Sequence, residues 1–258
     1  MAEIVVITGA SSGIGYAIAE QYAKEYARNG KVKKLYLLAR SAERLKIISD
    51  LCNSYGCPNE FIITDVMDKS ASTKAIDKIT QGNIIDLLIA CSGVSENSLR
   101  KAGVKDTFDK LIFDTNVGGV LNIVNPVAIH MQNNKCGQIA IIGSIAGFLH
   151  MASSKPYCAS KAAINNYTHS LRVALEPYNV QVSLILPGFV DTPMIDSNSF
   201  STPLRYSAEK AARIIISGIE AKKGVIAFPF ILYFAAKLLN ILPYKLADYV
   251  SKFIDRRI

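Results

Sequence analysis

Ile4-Val5-Val6-Ile7-Thr8-Gly9-Ala10-Ser11-Ser12-Gly13-Ile14-Gly15 opens the chain with an apolar run, a glycine-rich loop and the first turn of a helical pattern. Four consecutive β-branched residues suit a short strand buried on both faces. The glycines permit a tight turn and a close backbone approach to a phosphate, and the free amides of the following helix supply donors and a favourable dipole. Strand, loop and helix in that order read as a nucleotide-phosphate loop, with Gly9, Ser11, Ser12, Gly13, Ile14 and Gly15 as its binding residues.

Further apolar runs at 34–39, 60–64, 86–91, 138–143, 181–186 and 224–228 alternate with longer helical patterns. Strands apolar on both faces belong to a parallel sheet covered by helices on each side, and right-handed crossovers then build a doubly wound α/β fold. Ligands bind such sheets beyond the carboxyl ends of the strands. Gly9, Arg40, Asp65, Gly93, Ser144 and Pro187 each follow or close one of the first six runs, so six strand ends converge on one crevice. With 258 residues, half of them hydrophobic, and no linker or internal repeat, one domain is expected.

Tyr157 and Lys161 stand four residues apart, on one face of a helix. A phenol titrates near pH ~10, so a neighbouring ammonium is expected to lower its pKa and make it a usable proton donor and acceptor. With Ser144 upstream, the pair forms a proton-transfer site for carbonyl chemistry.

Taken together, Thr8-Gly9 with Gly13-Ile14-Gly15, Ser144, and Tyr157 with Lys161 resemble the short-chain dehydrogenase/reductase family. The resemblance runs over about residues 3–220 and implies a Rossmann fold whose seven parallel strands are ordered 3-2-1-4-5-6-7. It implies that Asn116 is a fourth catalytic residue, holding a water beside Lys161. It likewise implies that Asp65 and Val66 lie at the adenine ring, that Pro187, Gly188, Val190 and Thr192 form the nicotinamide-side loop, and that Tyr157 and Lys161 also touch the cofactor. One departure is Ala90-Cys91-Ser92-Gly93 in place of the family's Asn-Asn-Ala-Gly; Gly93 alone is retained, which puts the local hydrogen bonding in question.

A carboxylate at the end of the second strand would select NAD. Here Ala39 provides none, while Arg40, with Arg44 a turn later, suits a 2′-phosphate. NADP(H) is therefore the expected cofactor, with NAD(H) as the alternative. The leading functional reading is an NADPH-dependent carbonyl reductase for a lipophilic ketone or aldehyde. Its competitors are an alcohol dehydrogenase running the same chemistry and a nucleotide-binding membrane or regulatory protein without turnover.

Five cysteines and three histidines show neither disulfide-framework nor metal-ligand spacing, so no metal is expected and a reducing compartment fits. The first strand begins too early for a signal peptide, which suggests a cytoplasmic protein. The net charge is +8, and residues 222–258 carry seven basic and two acidic side chains, 7 − 2 = +5. No nucleic-acid-binding motif accompanies this excess. Beyond a catalytic unit at 1–228, segment 229–258 reads as an apolar and basic helical extension. Pro229, Lys237 and Asn240 argue against a spanning helix, and two readings stay open: peripheral membrane contact, or a cover over the substrate pocket. Residues 194–206, with Ile195, Phe200 and Leu204, are expected to form an apolar lid. The resemblance also implies a homodimer or homotetramer through helices at 106–132 and 157–178.

Overall fold

The computed structural model describes residues 4–30, 32–105, 108–195 and 204–255; Phe200, Asp106, Arg256 and Arg257 lie outside them. The strands are β1 (Ile4–Thr8), β2 (Lys34–Ala39), β3 (Asn59–Ile63), β4 (Leu87–Ala90), β5 (Gln138–Ile142), β6 (Gln181–Pro187), β7 (Val190–Asp191), β8 (Tyr206–Ser207) and β9 (Val225–Phe228). Seven of them form one parallel sheet in the order β3-β2-β1-β4-β5-β6-β9, the arrangement expected, while β7 and β8 make a separate parallel pair. Register is continuous across the sheet, Val5 facing Leu35 on one side and Leu87 on the other.

Alternation along the strands divides the core in two. Val5, Ile7, Leu35, Leu37, Leu87 and Ile89 face α1 (Gly13–Asn29), α2 (Ala42–Ser54) and α8 (Ala208–Glu220). Val6, Leu38, Leu88, Ile139 and Ile141 face the opposite layer, built from α3 (Lys69–Thr80), α6 (Val120–Asn134) and α7 (Lys155–Leu175). Both layers are needed because strands apolar on both faces leave no side for water. Burying one such aliphatic side chain contributes about 1.5–3 kcal/mol.

Local chemistry sets the helix limits. Ser41 caps α2 by accepting from the Arg44 amide, and Asp68 caps α3 by accepting from Ala71. Helix α7 stops at Leu175 and finishes as one 3-10 turn, Glu176–Tyr178, because Pro177 has no amide hydrogen to continue the helical ladder. Between α4 (Glu96–Lys101) and α6, a short α5 (Phe108–Phe113) runs into a π-helical turn at Asp114–Gly119. By length and composition the continuous helix Phe108–Asn134 could cross a membrane, but half of its apolar window is buried inside the protein, as in a core helix. The C-terminal extension forms α9 (Phe230–Leu239) and α10 (Tyr244–Asp255).

At the first turn of α1 the backbone leaves no space. A Cβ on Gly15 would strike the Gly9 carbonyl oxygen and lie 2.8 Å from its carbon, neither of which can swing away. Gly15→Ala is therefore expected to lower stability by about 1–3 kcal/mol, read as a lower urea midpoint with an unchanged slope.

Candidate active site

The sites singled out in the sequence meet along the carboxyl edge of the sheet. Gly9 and Gly13 adopt positive φ (66° and 57°), a backbone open to glycine but strained for other residues. A Cβ on Gly9 would lie 3.0 Å from the Cys91 carbonyl oxygen, so the β1 loop rests directly on the β4 loop. The Thr8 hydroxyl accepts from the amides of Cys91 and Ser92 at 3.0 and 3.2 Å. That bond ties β1 to β4 and settles what holds the Ala90-Cys91-Ser92-Gly93 segment. Thr192 reaches the phosphate loop as well, its methyl 3.2 Å from where a Gly13 Cβ would be. A glycine-flanked loop, closed by Thr192 and ending at the N-terminus of a 17-residue helix, fits a dinucleotide pyrophosphate. Ser12, the N-cap residue, makes no side-chain capping bond.

Asp65 and Val66 follow β3, with their side chains turned to the protein: the carboxylate accepts from the Met67 amide at 3.0 Å, and Val66 is buried beneath Gly119. Arg40 and Arg44 are exposed, and neither is ion-paired with any described residue. Pro187 closes β6, and its carbonyl accepts from the Ser144 hydroxyl at 3.5 Å. Gly188 donates to the Phe228 carbonyl at 2.7 Å. Around the expected lid, β7 pairs with β8, Asp191 is ion-paired with Arg205, and the Ile195 amide donates to Thr192; residues 196–203 lie outside the description.

Ser144, Tyr157 and Lys161 come together where α7 crosses the end of β5. Ser144 neighbours the Tyr157 phenol, and its hydroxyl accepts from the Ala146 amide at 3.0 Å. Lys161 is buried, and its ammonium donates to the Ile142 carbonyl at 2.9 Å. Burial pushes the Tyr157 phenol up to about 12, outweighing the lowering by the neighbouring Ser144. Burial also pulls Lys161 down to about 8. The expected lowering of the tyrosine pKa by Lys161 is not what the structure shows, because Nζ is directed to a backbone carbonyl and lies 5.8 Å from the Tyr157 ring centroid. Asn116 is fully buried at the π-helical turn, with its amide donating to the Val94 carbonyl (2.9 Å) and Ser160 hydroxyl (3.0 Å) and accepting from the Val94 amide (2.8 Å). Both side-chain donors thus serve protein acceptors.

Three supporting residues escaped the sequence reading. Asn165 clamps the Ser144 backbone, donating to its carbonyl at 3.0 Å and accepting from its amide at 3.4 Å. Its sequence signal is a polar residue one helical repeat beyond Lys161 on the Tyr157 face. Ser160 donates to the Tyr157 carbonyl at 2.8 Å while holding Asn116. Glu96 is buried, its carboxyl pKa raised by desolvation, and it accepts from the Tyr157 amide at 3.4 Å. A cavity of about 510 Å³, lined by Leu149, Met151, Cys158 and Ala162 among others, opens beside this centre; Ser144, Tyr157 and Lys161 do not line it.

The depressed Lys161 pKa has a linkage consequence. Between pH 8 and about 10.5 the unfolded chain binds more protons at this site than the folded one, so stability gains from this group as pH rises and loses it as pH falls through 8. The stability difference, wild type minus Lys161→Met, is expected to rise over that window by at most about 1.4 kcal/mol per pH unit. Urea unfolding of both proteins at pH 7, 8, 9 and 10 measures it, and a flat difference would refute the buried ammonium.

Residues 3–201 match the sequence family described as short chain dehydrogenase. The chain is 31% identical to an uncharacterized oxidoreductase of Staphylococcus saprophyticus over 86% of its own length and 93% of the relative's. It is also 31% identical to 11-beta-hydroxysteroid dehydrogenase-like 3 of Arabidopsis thaliana, over 96% of this chain and 79% of that one. Among solved structures it resembles a short-chain dehydrogenase from Sphingobium yanoikuyae in complex with NADPH, with a TM-score of 0.75 at 23% identity, covering 99% and 96% of the two chains. Fold, phosphate loop and sequence thus agree that the chain belongs to the short-chain dehydrogenase family, nicotinamide-dependent oxidoreductases acting on alcohol and carbonyl groups.

Proposed function

We propose that this enzyme is an NADPH-dependent carbonyl reductase acting on a lipophilic ketone or aldehyde. The observation that carries the reading is the convergence of Ser144 and Tyr157 beside the buried Lys161. When bound, the nicotinamide supplies hydride to the carbonyl carbon. The Tyr157 phenol, its pKa raised, holds its proton at neutral pH and gives it to the carbonyl oxygen, since a developing alkoxide is a stronger base than a phenolate. Ser144 donates a second hydrogen bond to that oxygen, from a backbone fixed by Asn165. Lys161 keeps a positive charge at pH 7 beneath the site, where it would hold the ribose and, with a pKa near 8, return a proton to the phenol.

NADPH is favoured because Arg40, exposed and without an ionic partner among the described residues, follows a strand that ends in Ala39 rather than a carboxylate. The phosphate loop, Asp65, Val66, Gly93, Gly188, Val190 and Thr192 would hold the rest of the cofactor. The lipophilic substrate class rests on Phe148, Leu149, Leu232 and Tyr233, which pack just beyond the catalytic serine. Exposed Ile129 on α6 and Val173 on α7 support the self-association that the family resemblance implies.

Titration with NADPH and NADH, followed by nicotinamide fluorescence, tests the cofactor. Arg40→Ala is expected to weaken NADPH about tenfold or more while leaving NADH unchanged; equal binding of both by the wild type would overturn the assignment. Tyr157→Phe is expected to keep NADPH affinity while reduction of an apolar ketone falls by about 10²-fold or more. Full turnover in that variant would remove the phenol from the mechanism.

A further inference from the structure

Helix α9 is apolar apart from Lys237 in its last turn, yet only one side is covered. Its inner face places Leu232, Tyr233 and Ala236 against Ile145, Phe148, Leu149, Leu184 and Leu186. Its outer face carries Phe230, Phe234 and Leu238 at spacings of four residues, with Ile231 alongside and Ile241 in the turn that follows. These five are between 47% and 79% exposed. The Phe230 ring lies 6.5 Å from Phe234 and 6.1 Å from Tyr233, so the rings form one continuous surface. Exposed Tyr244, Leu246 and Tyr249 on α10 add to the apolar surface of the extension. A helix as apolar as this is normally covered all round, and a contiguous exposed patch of this kind marks a contact surface.

The surrounding charge identifies what covers it. Lys237 sits 5.4 Å from the Tyr233 ring centroid and 6.0 Å from that of Phe148, beside the apolar face. Lys245 and Lys252 lie on α10, Lys222 and Lys223 just before β9, and the whole segment 222–258 carries +5. We propose that α9 and α10 dock this enzyme on an anionic lipid surface. Aromatic and aliphatic side chains would enter the headgroup boundary while the lysines meet anionic headgroups. A second copy is a poorer occupant, because a two-fold contact would set the same positive segment against itself. Spanning is excluded by length: the ten residues of α9 reach about 15 Å, half of a bilayer core.

Docking there would bring the catalytic cleft to the lipid. Asn240 donates to the Phe148 carbonyl at 2.9 Å and Tyr233 meets Phe148 edge-on at 5.9 Å, so the inner side of α9 rests on the segment that follows Ser144. A lipophilic substrate could then pass from bilayer to cleft without crossing bulk water. This consequence rests on the reaction proposed above; the docking does not.

Vesicle flotation of the full chain, without cofactor or substrate, separates the two. The protein is expected to float with phosphatidylcholine vesicles containing about 30 mol % phosphatidylserine, and to bind about tenfold less without the anionic lipid or in high salt. Phe230→Glu with Phe234→Glu, and separately Lys245→Glu with Lys252→Glu, are each expected to cut binding about tenfold or more. Urea midpoints equal to wild type would show both folds intact. Absence of flotation, or equal flotation of wild type and both variants, overturns the proposal. So does a wild-type dimer without lipid that the phenylalanine variant abolishes, which would assign the face to a second copy.

Discussion

Ser144 is gripped through its backbone by one side-chain amide, and the rest of the centre is arranged around that grip. Asn165 takes the Ser144 amide and carbonyl together, and the flanking glycines leave it room: a Cβ on Gly143 would strike the Asn165 Oδ1, and one on Gly147 would clash with Nδ2. Because Asn165 lies on α7 with Lys161 and Tyr157, the same contact sets how that helix crosses the end of β5. Lys161 then reaches the Ile142 carbonyl and Tyr157 lies beside Ser144. The three groups proposed for proton transfer are thus positioned by a single helix-to-strand junction.

This arrangement sets function against stability. An ammonium inside the protein is costly even when hydrogen-bonded, and the low pKa of Lys161 measures that cost. The two apolar layers flanking the sheet offset it. The π-helical turn at Asp114–Gly119 is a comparable local irregularity: it carries the buried Asn116, which links the β4 loop to α7 through Val94 and Ser160. Both irregularities sit where chemistry is expected rather than in the body of the fold.

Desolvation, not attraction between neighbours, dominates the electrostatics. Tyr157 and Lys161 are each driven toward the neutral form, the phenol up to about 12 and the ammonium down to about 8, so their titrations move apart. A phenol that keeps its proton suits the carbonyl reduction proposed above better than the reverse reaction. Glu96 of α4, buried against the first turn of α7, adds a negative charge that pushes the phenol in the same direction.

The order of apolar runs, the glycine loop and the Tyr157–Lys161 spacing were sufficient to read the doubly wound sheet and the edge on which the site lies, because strand alternation and helix periodicity are local properties of the chain. Strand limits moved by a residue or so, as at Asn59–Ile63 and Leu87–Ala90, since pairing with neighbours decides where a ladder ends. What stayed hidden depends on partners distant in sequence. Thr8 bonds Cys91 and Ser92 across 83 and 84 residues, Asn116 bonds Ser160 across 44, and Lys161 finds a carbonyl rather than a phenol. The uncovered face of α9 belongs to the same class: its sequence is apolar but for Lys237, and only packing shows which side the protein uses. Sequence alone determined which groups this protein has for its chemistry; tertiary structure decided their protonation and their neighbours, because burial and hydrogen-bond geometry exist only once the chain has closed on itself.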